Sequence, residues 1–182
     1  MTGTHLETAH LLLRPFTADD APLLHQAVYG NAAVMRYLPG GVPRTLEQTQ
    51  QVIEFFTNHY QQHGFGAWVL VHQADGQFIG QCGLNRLPDD GEVEVFYAIA
   101  EPYWGQGLTT EAAEAVLGYG FERAALERII ALAVPENIAS RRVMEKLGMR
   151  YEGVTTAYYR GAGLALYTLT REQWQVRHPL SG

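Results

Sequence analysis

The chain has 182 residues, of which 47% are hydrophobic and 18% are charged, and this size and composition predict one globular domain. A formal net charge of −6 argues against a protein that binds nucleic acid through phosphate contacts. Because no apolar run is long enough to cross a bilayer, no signal peptide is visible and Cys82 is the one cysteine, we expect a cytoplasmic protein with no membrane partner and no disulfide.

The first half of the chain predicts a strand, two helices and two further strands. A strand over residues 10–16 precedes a helix that begins at Thr17, a residue type suited to the N-cap, and ends near residue 29. Residues 31–44 form a loop rich in Gly and Pro, and a capping-box sequence at Thr45 opens a helix over 45–62. Strands over 67–72 and 78–84 flank a turn at 74–76.

The second half alternates strands and helices. A turn at 88–91 leads to a strand over 92–99, and a loop then leads to a helix over 110–124. A β-rich run over 128–134 precedes a helix over 139–147, and strands over 153–159 and 165–170 pair across a turn at 161–163. The order β-α-α-β-β-β-α-β-α-β-β predicts an α/β fold with a mixed sheet and about four helices.

A glycine-rich loop separates the strand that ends at Ile99 from the helix after Thr110. Glycines before a helix let a ligand approach the backbone, where the free N–H groups and the helix dipole favour a phosphate or pyrophosphate. The loop lacks the Lys of a P-loop. Gly105-Gln-Gly107 supplies part of a dinucleotide fingerprint, but Thr110 replaces the third glycine and no acidic residue closes the strand over 128–134. A nicotinamide-dependent oxidoreductase and a turn without a ligand stay open as alternatives.

Two motifs carry a resemblance to a known family. The segments Tyr103-Trp-Gly-Gln-Gly-Leu-Thr-Thr-Glu-Ala112 and Glu136-Asn-Ile-Ala-Ser-Arg-Arg-Val-Met-Glu-Lys-Leu-Gly-Met149 resemble those of the GNAT acetyltransferases, most closely the branch of the ribosomal-protein N-terminal acetyltransferases. The ends of the chain are similar to that branch too. The resemblance implies one N-acetyltransferase domain over residues 1–182, with a mostly antiparallel sheet splayed between its fourth and fifth strands. It also implies an acetyl-CoA co-substrate, whose thioester a bound amine attacks directly.

The resemblance further implies which residues bind the cofactor. The pyrophosphate is expected on the backbone amides of the loop and the first helical turn, and pantetheine along the preceding strand. The residues expected in these contacts are Tyr97, Ala98, Ile99, Trp104, Gly105, Gln106, Gly107, Leu108, Thr109 and Thr110. Asn137 matches a family Asn that contacts the cofactor arm, although an Asn before a helix is also suited to capping it.

Two residues are candidates for proton transfer. Glu94 matches the family's glutamate on the fourth strand and is our candidate general base, with Glu92, of the same strand parity, as second choice. A substrate clamp or a plain surface residue is the alternative role of Glu94. Met144 stands where many family members have a proton-donating Tyr, so Ser140, one helical turn earlier, is the candidate general acid or a cofactor contact.

The acceptor is expected to be a primary amine, with a protein N-terminus favoured and a small-molecule amine next. Residues 31–44 and 154–164, which belong to the acceptor half of the family fold, carry no motif that identifies it. A non-catalytic acyl-CoA-binding module stays open as the alternative function, and the oligomeric state is open, with a homodimer as one option. No metal site is expected, because His59 and His63, four residues apart, lack a third ligand and are predicted to be a solvated pair.

Overall fold

The computed structural model describes residues 4–88 and 90–179. Within them, eight strands form one sheet in the order β1-β2-β3-β4-β5-β6-β8-β7. The strands are β1 (Leu6–Glu7), β2 (Leu11–Pro15), β3 (Ala67–His72), β4 (Phe78–Arg86), β5 (Val93–Ile99), β6 (Arg128–Ala133), β7 (Arg150–Thr155) and β8 (Leu164–Thr170). Neighbouring strands are antiparallel except β5 and β6, which are parallel. The predicted α/β fold with a mixed, mostly antiparallel sheet is confirmed.

Six α-helices flank the sheet in the described part of the chain. They are α1 (Ala21–Leu24), α2 (Ala32–Met35), α3 (Leu46–His63), α4 (Leu108–Gly118), α5 (Ile138–Lys146) and α6 (Arg171–Arg177). None of the described helices combines the length and the apolar character that a membrane span requires. Two of the six, α2 and α6, were not expected from the sequence. Each is short, and each begins at a side-chain cap, on Asn31 and Thr170 respectively.

The sheet opens between β5 and β6. Strand β5 pairs with β4 along its whole length, from Val93 opposite Arg86 to Ile99 opposite Gly80. With β6 it shares the single partner pair Glu94–Ile130, and beyond that pair the two strands diverge. This opening, called the split below, lies between the fourth and fifth strands of the predicted set, as expected.

The two faces of the sheet carry separate apolar clusters. On one face, α4 buries Ala112, Ala113, Val116 and Leu117 completely against the strands, together with Trp68. On the other face, α1, α2 and α3 pack around Ala98 with residues such as Leu24 and Met35. Because burial of apolar surface supplies most of the free energy that stabilises a fold, the packing of both clusters against β5 fixes the position of this strand.

Several predicted boundaries were wrong. The helix expected over 17–29 consists of a 3₁₀ turn, α1 and a π turn (His25–Tyr29). The helix expected over 110–124 begins earlier and ends in a π turn, Tyr119–Arg123. The strand expected over 153–159 is β7, which ends at Thr155, because Tyr158 and Tyr159 turn away from the sheet to bind carboxylates. Asp89, in the turn expected at 88–91, lies outside the described residues, as do 1–3 and 180–182.

Candidate active site

The glycine-rich loop ends in a row of free backbone donors. Within the described part of the chain, the N–H groups of residues 105–110 donate to no acceptor, and Gly107 caps α4 without a side-chain bond. Gly105 and Gly107 have φ angles of 74° and 83°, and a Cβ atom on either would meet nothing within 4 Å. The two glycines therefore leave room for a ligand, and the free donors lie at the positive end of an 11-residue helix, which fits an anionic diphosphate.

Trp104 closes one side of this loop. Its indole Nε1 donates to the Ile99 carbonyl at 2.8 Å, while the residue as a whole is 47% exposed. Gln106 braces the loop from within, because its Nε2 donates to the Pro102 carbonyl at 3.0 Å. Of the loop residues predicted to bind the cofactor, these two hold the loop's shape through their side chains.

The edge of β5 that faces the split offers backbone groups to an extended ligand. The Ala100 N–H donates to the carbonyl of Ile79 in β4. The alternate residues Tyr97 and Ile99 therefore direct their backbone groups the other way, towards β6. Beyond the Glu94–Ile130 pair, β6 no longer covers them. Trp104 already binds the Ile99 carbonyl, which leaves the groups of Tyr97 and the Ile99 N–H for an arm such as pantetheine.

The start of α5 brings three polar side chains together beside the split. Asn137 caps the helix by accepting from the Ser140 N–H at 3.1 Å, so the capping role expected for it is present. The Ser140 Oγ lies 3.1 Å from the Tyr97 Oη, and the Ser140 carbonyl also accepts from that phenol at 3.2 Å. Burial raises the pKa of Tyr97, so its phenol is protonated at neutral pH. The side-chain contact between Tyr97 and Ser140 was not anticipated from the sequence.

Glu94 is buried at the point where the sheet opens. It is 4% exposed, and its Oε2 accepts a hydrogen bond from the Tyr159 Oη at 2.5 Å. Burial raises the pKa of Glu94 to about 7, and the hydrogen bond from Tyr159 opposes the rise. A carboxyl group of this kind exchanges a proton close to neutral pH, which suits a general base. The plain surface role considered for Glu94 is excluded by its burial.

Glu92, the second candidate base, lies before β5 begins and differs from Glu94 in its surroundings. Its Oε1 is 3.5 Å from the Arg128 Nη1, and its side chain is 26% exposed. The ion pair with arginine occupies one of the two oxygens of Glu92. Of the two carboxylates, Glu94 is therefore the one placed for proton exchange.

Glu94 and Ser140 lie on opposite sides of the sheet. Glu94 shares its face with Phe96, which stacks on Phe56 of α3 at 4.8 Å, and with Ala98 in the α1–α3 cluster. Tyr97 points to the other face, where α5 carries Ser140. The split joins the two faces, so a group held between β5 and β6 would have Glu94 on one side and the Ser140 hydroxyl on the other.

The face of Glu94 also carries two carbonyl oxygens without donors. Asn85 is the cross-strand partner of Glu94, and Gln81 that of Ala98, so all four side chains share this face. The Asn85 Oδ1 and the Gln81 Oε1 are buried and have no hydrogen-bond partner among the described residues. Gln81 is 2% exposed, and its Nε2 donates to the Tyr29 Oη at 2.7 Å. Unpaired buried acceptors favour a ligand that brings N–H donors.

The remaining candidates have structural roles. Met144 and Cys82 are buried in the main apolar cluster, and burial raises the pKa of the Cys82 thiol. The prediction of a solvated histidine pair was wrong for His59, which is 6% exposed and bonds the Phe65 carbonyl and the Arg86 N–H at 2.9 Å each. No cluster of three potential metal ligands occurs within residues 4–88 and 90–179.

Comparisons with known proteins identify the family. The family model described as acetyltransferase (GNAT) domain matches residues 10–150. YnaD of Bacillus subtilis, named as an uncharacterized N-acetyltransferase, is 34% identical over 152 residues, which cover 82% of this chain and 84% of that protein. The spermidine N(1)-acetyltransferase of Escherichia coli is 28% identical over 158 residues, covering 81% of this chain and 77% of its own length.

A solved structure supports the fold. The ribosomal L7/L12 alpha-N-protein acetyltransferase RimL, in complex with coenzyme A, matches with a TM-score of 0.79 at 19% identity, covering 93% of this chain and 99% of that chain. The resemblance to the superfamily is thus confirmed, whereas the likeness to RimL, at 19% identity, shows the fold alone. The chain belongs to the GNAT acetyltransferase family and is an acetyl-CoA-dependent N-acetyltransferase.

Proposed function

We propose that the chain transfers the acetyl group to a primary amine by direct attack in a ternary complex, with Glu94 as the general base. The observation that carries the proposal is a buried carboxyl with a pKa of about 7 at the split, held by one phenolic hydrogen bond. A protein N-terminus is the favoured acceptor, and a small-molecule amine is second.

The proton affinity of Glu94 supports this preference. At pH 7, deprotonating an α-amine with a pKa of about 7.8 costs about 1 kcal/mol, whereas a lysine-like amine with a pKa of about 10.4 costs about 4.6 kcal/mol. A base with a pKa near 7 is closely matched to the first amine and poorly matched to the second. The unpaired oxygens of Asn85 and Gln81 add acceptors for the N–H groups of an amine or a peptide.

The names of similar proteins support each acceptor class in turn. RimL is named for a protein α-amine and the E. coli relative for spermidine, so the family fold serves both kinds of amine. For this chain, the proton affinity of Glu94 favours the α-amine. The 28% identity to the E. coli spermidine acetyltransferase supports a polyamine as the second candidate.

Cofactor binding is proposed at the free donors of Gly105, Gln106, Gly107, Leu108, Thr109 and Thr110, with the β5 edge of Tyr97, Ala98 and Ile99 for pantetheine. Trp104 supports the loop, and Asn137 positions α5. Ser140 is proposed to donate the proton that the departing sulfur takes up. The Tyr97 phenol, 3.1 Å behind the Ser140 hydroxyl, can hold that hydroxyl in place.

Release of free thiol from acetyl-CoA tests the proposal. One peptide is prepared in two forms, with a free α-amine and an acetylated lysine, or with an acetylated α-amine and a free lysine, and spermidine is assayed beside them. At pH 7 we expect kcat/KM to be highest for the free α-amine, because less of it is protonated. If spermidine were acetylated and neither peptide were, the N-terminal acceptor would be rejected. If no amine led to release of free thiol, the transfer itself would be rejected.

The role of Glu94 is tested by Glu94→Gln, which keeps the shape of the side chain and removes its proton affinity. We expect kcat to fall by about a hundredfold for the preferred acceptor and more for a strongly basic amine, because general-base catalysis contributes on this order. An equal reduction across amines of different basicity would indicate that Glu94 clamps the substrate.

A further inference from the structure

The loop between β7 and β8 is fastened over the start of β5 by two successive tyrosines. The Tyr158 Oη donates to the Asp90 Oδ2 at 2.7 Å, and the Tyr159 Oη donates to the Glu94 Oε2 at 2.5 Å. Tyr158 is also buried beside Leu87 and Ile130. The loop therefore binds both the turn that precedes β5 and the candidate base within it.

The backbone that presents Tyr159 is in a conformation that residues with side chains rarely adopt. Tyr159 and Arg160 have φ angles of 49° and 60°, and Gly161 follows at 81°. A left-handed conformation is unfavourable for a bulky residue and persists where surrounding contacts enforce it. The two phenol–carboxylate hydrogen bonds are such contacts, and backbone strain of this kind is concentrated at functional sites.

We propose that Tyr159 is a positioning residue for the general base: its hydroxyl orients the Glu94 carboxylate at the split and stabilises its ionised form. This inference rests on the proposed role of Glu94 in acetyl transfer. A donor on one oxygen leaves the other oxygen of Glu94 for the acceptor amine. Tyr159 as a whole residue is 37% exposed, so it lies between the buried carboxylate and solvent.

The charged and titratable groups around Glu94 are otherwise engaged. Titratable or charged side chains on the neighbouring elements include Tyr97 on β5, Tyr29 in the π turn after α1, with Arg44 over its ring, His59 on α3, Arg86 on β4, and Arg128 on β6 with its partner Glu92. Arg86 donates to the Gly91 carbonyl at 2.8 Å, and burial lowers the pKa of His59. None of these side chains hydrogen-bonds Glu94 in the described part of the chain. The Tyr159 hydroxyl is thus the contact there that favours the carboxylate over the acid.

A direct titration tests the inference. Glutamate labelled with ¹³C at the side-chain carboxyl is introduced into the full chain, and the Glu94 signal is identified by its loss in Glu94→Gln. In Tyr159→Phe we expect the pKa of Glu94 to rise by about one unit, a tenfold change in its acid dissociation constant, because a hydrogen bond to the charged form is lost. In Tyr158→Phe, which removes the neighbouring phenol, we expect the titration to match that of the wild type.

Kinetics supply the second measurement. The acidic limb of the kcat/KM profile for one amine should move to higher pH in Tyr159→Phe and stay in place in Tyr158→Phe. An unchanged Glu94 titration in Tyr159→Phe, or the same shift in both variants, would overturn the inference. Failure of the wild type to release thiol would instead reject the proposed acetyl transfer, and the carboxyl titration would still decide whether Tyr159 controls Glu94.

Discussion

Burial of Glu94 serves the proposed chemistry and weakens the fold at the same time. Its pKa is about 7 in the folded protein and close to the ordinary value of 4.5 in the unfolded chain. The folded state therefore binds the proton more tightly. Any stabilisation linked to that proton is complete below about pH 4.5 and is lost as the pH rises through about 7.

Glu94→Gln tests this linkage without reference to activity. The amide has no ionised form to bury and can still accept from Tyr159, so the variant should be the more stable protein at high pH. We expect the free energy of unfolding of the variant, relative to the wild type, to be about 2 kcal/mol higher at pH 8 than at pH 5, because of the pKa difference above. Urea denaturation at the two pH values measures this gain. Glu54→Gln, on the exposed side of α3, is the control and should show no comparable pH dependence. A gain equal at both pH values would contradict the linkage.

Two residues show what sequence spacing cannot reveal. The spacing of His59 and His63 predicted a solvated pair, but His59 finds one of its partners, the Arg86 N–H, 27 residues away on β4. Tyr159 was expected at the end of a strand, and its partner Glu94 is 65 residues away. Local patterns identify residue types suited to a role, whereas burial and long-range partners depend on how the elements pack.

At the scale of elements, local chemistry predicted much of the fold. The capping box at Thr45 correctly placed the start of α3, and the glycines before α4 correctly indicated a row of free N–H groups. The same kind of box, Thr170 to Gln173, opens α6, a helix that was not expected from the sequence. Helices as short as α6 are marginally stable in isolation. Burial of Trp174 against the rest of the fold stabilises α6, and the local sequence pattern does not reveal that burial.

The start of α4 carries a prediction about cofactor binding. Gly107→Glu places a carboxylate beside the free donors where a diphosphate is proposed to bind, and it also strains a backbone with a φ angle of 83°. We expect the Kd for acetyl-CoA, measured by isothermal titration, to rise by about a hundredfold or more, as for the loss of two charge-assisted hydrogen bonds.

Gly64→Glu separates charge at the site from strain in the backbone. Gly64 ends α3 with a φ angle of 75° and open space around its Cβ position, so the substitution strains the chain similarly far from the loop. We expect this variant to lose stability and to retain its affinity for acetyl-CoA. Equal loss of affinity in both variants would mean that strain, rather than charge at the α4 terminus, weakens binding.

At the scale of the whole molecule, the split makes a two-sided site. Helices α4 and α5 present the free donors and Ser140 on one face, while α1 and α3 pack on the other face, where the β7–β8 loop contacts Glu94. Because β5 forms the boundary of both sides, an acyl donor and an acceptor can reach the split from different faces. This arrangement favours a direct transfer with both substrates bound over one that passes through the enzyme.

An acetylated enzyme would need a nucleophile, and the chain offers no suitable thiol. Cys82, the one cysteine, is fully buried in an apolar cluster, and burial raises its pKa. Initial rates measured over a matrix of acetyl-CoA and amine concentrations should therefore give intersecting double-reciprocal lines, and Cys82→Ala should keep this pattern. Mass spectrometry of the protein after incubation with acetyl-CoA alone should find no added acetyl group. Parallel lines together with an acetylated protein would establish a two-step transfer and overturn the ternary mechanism.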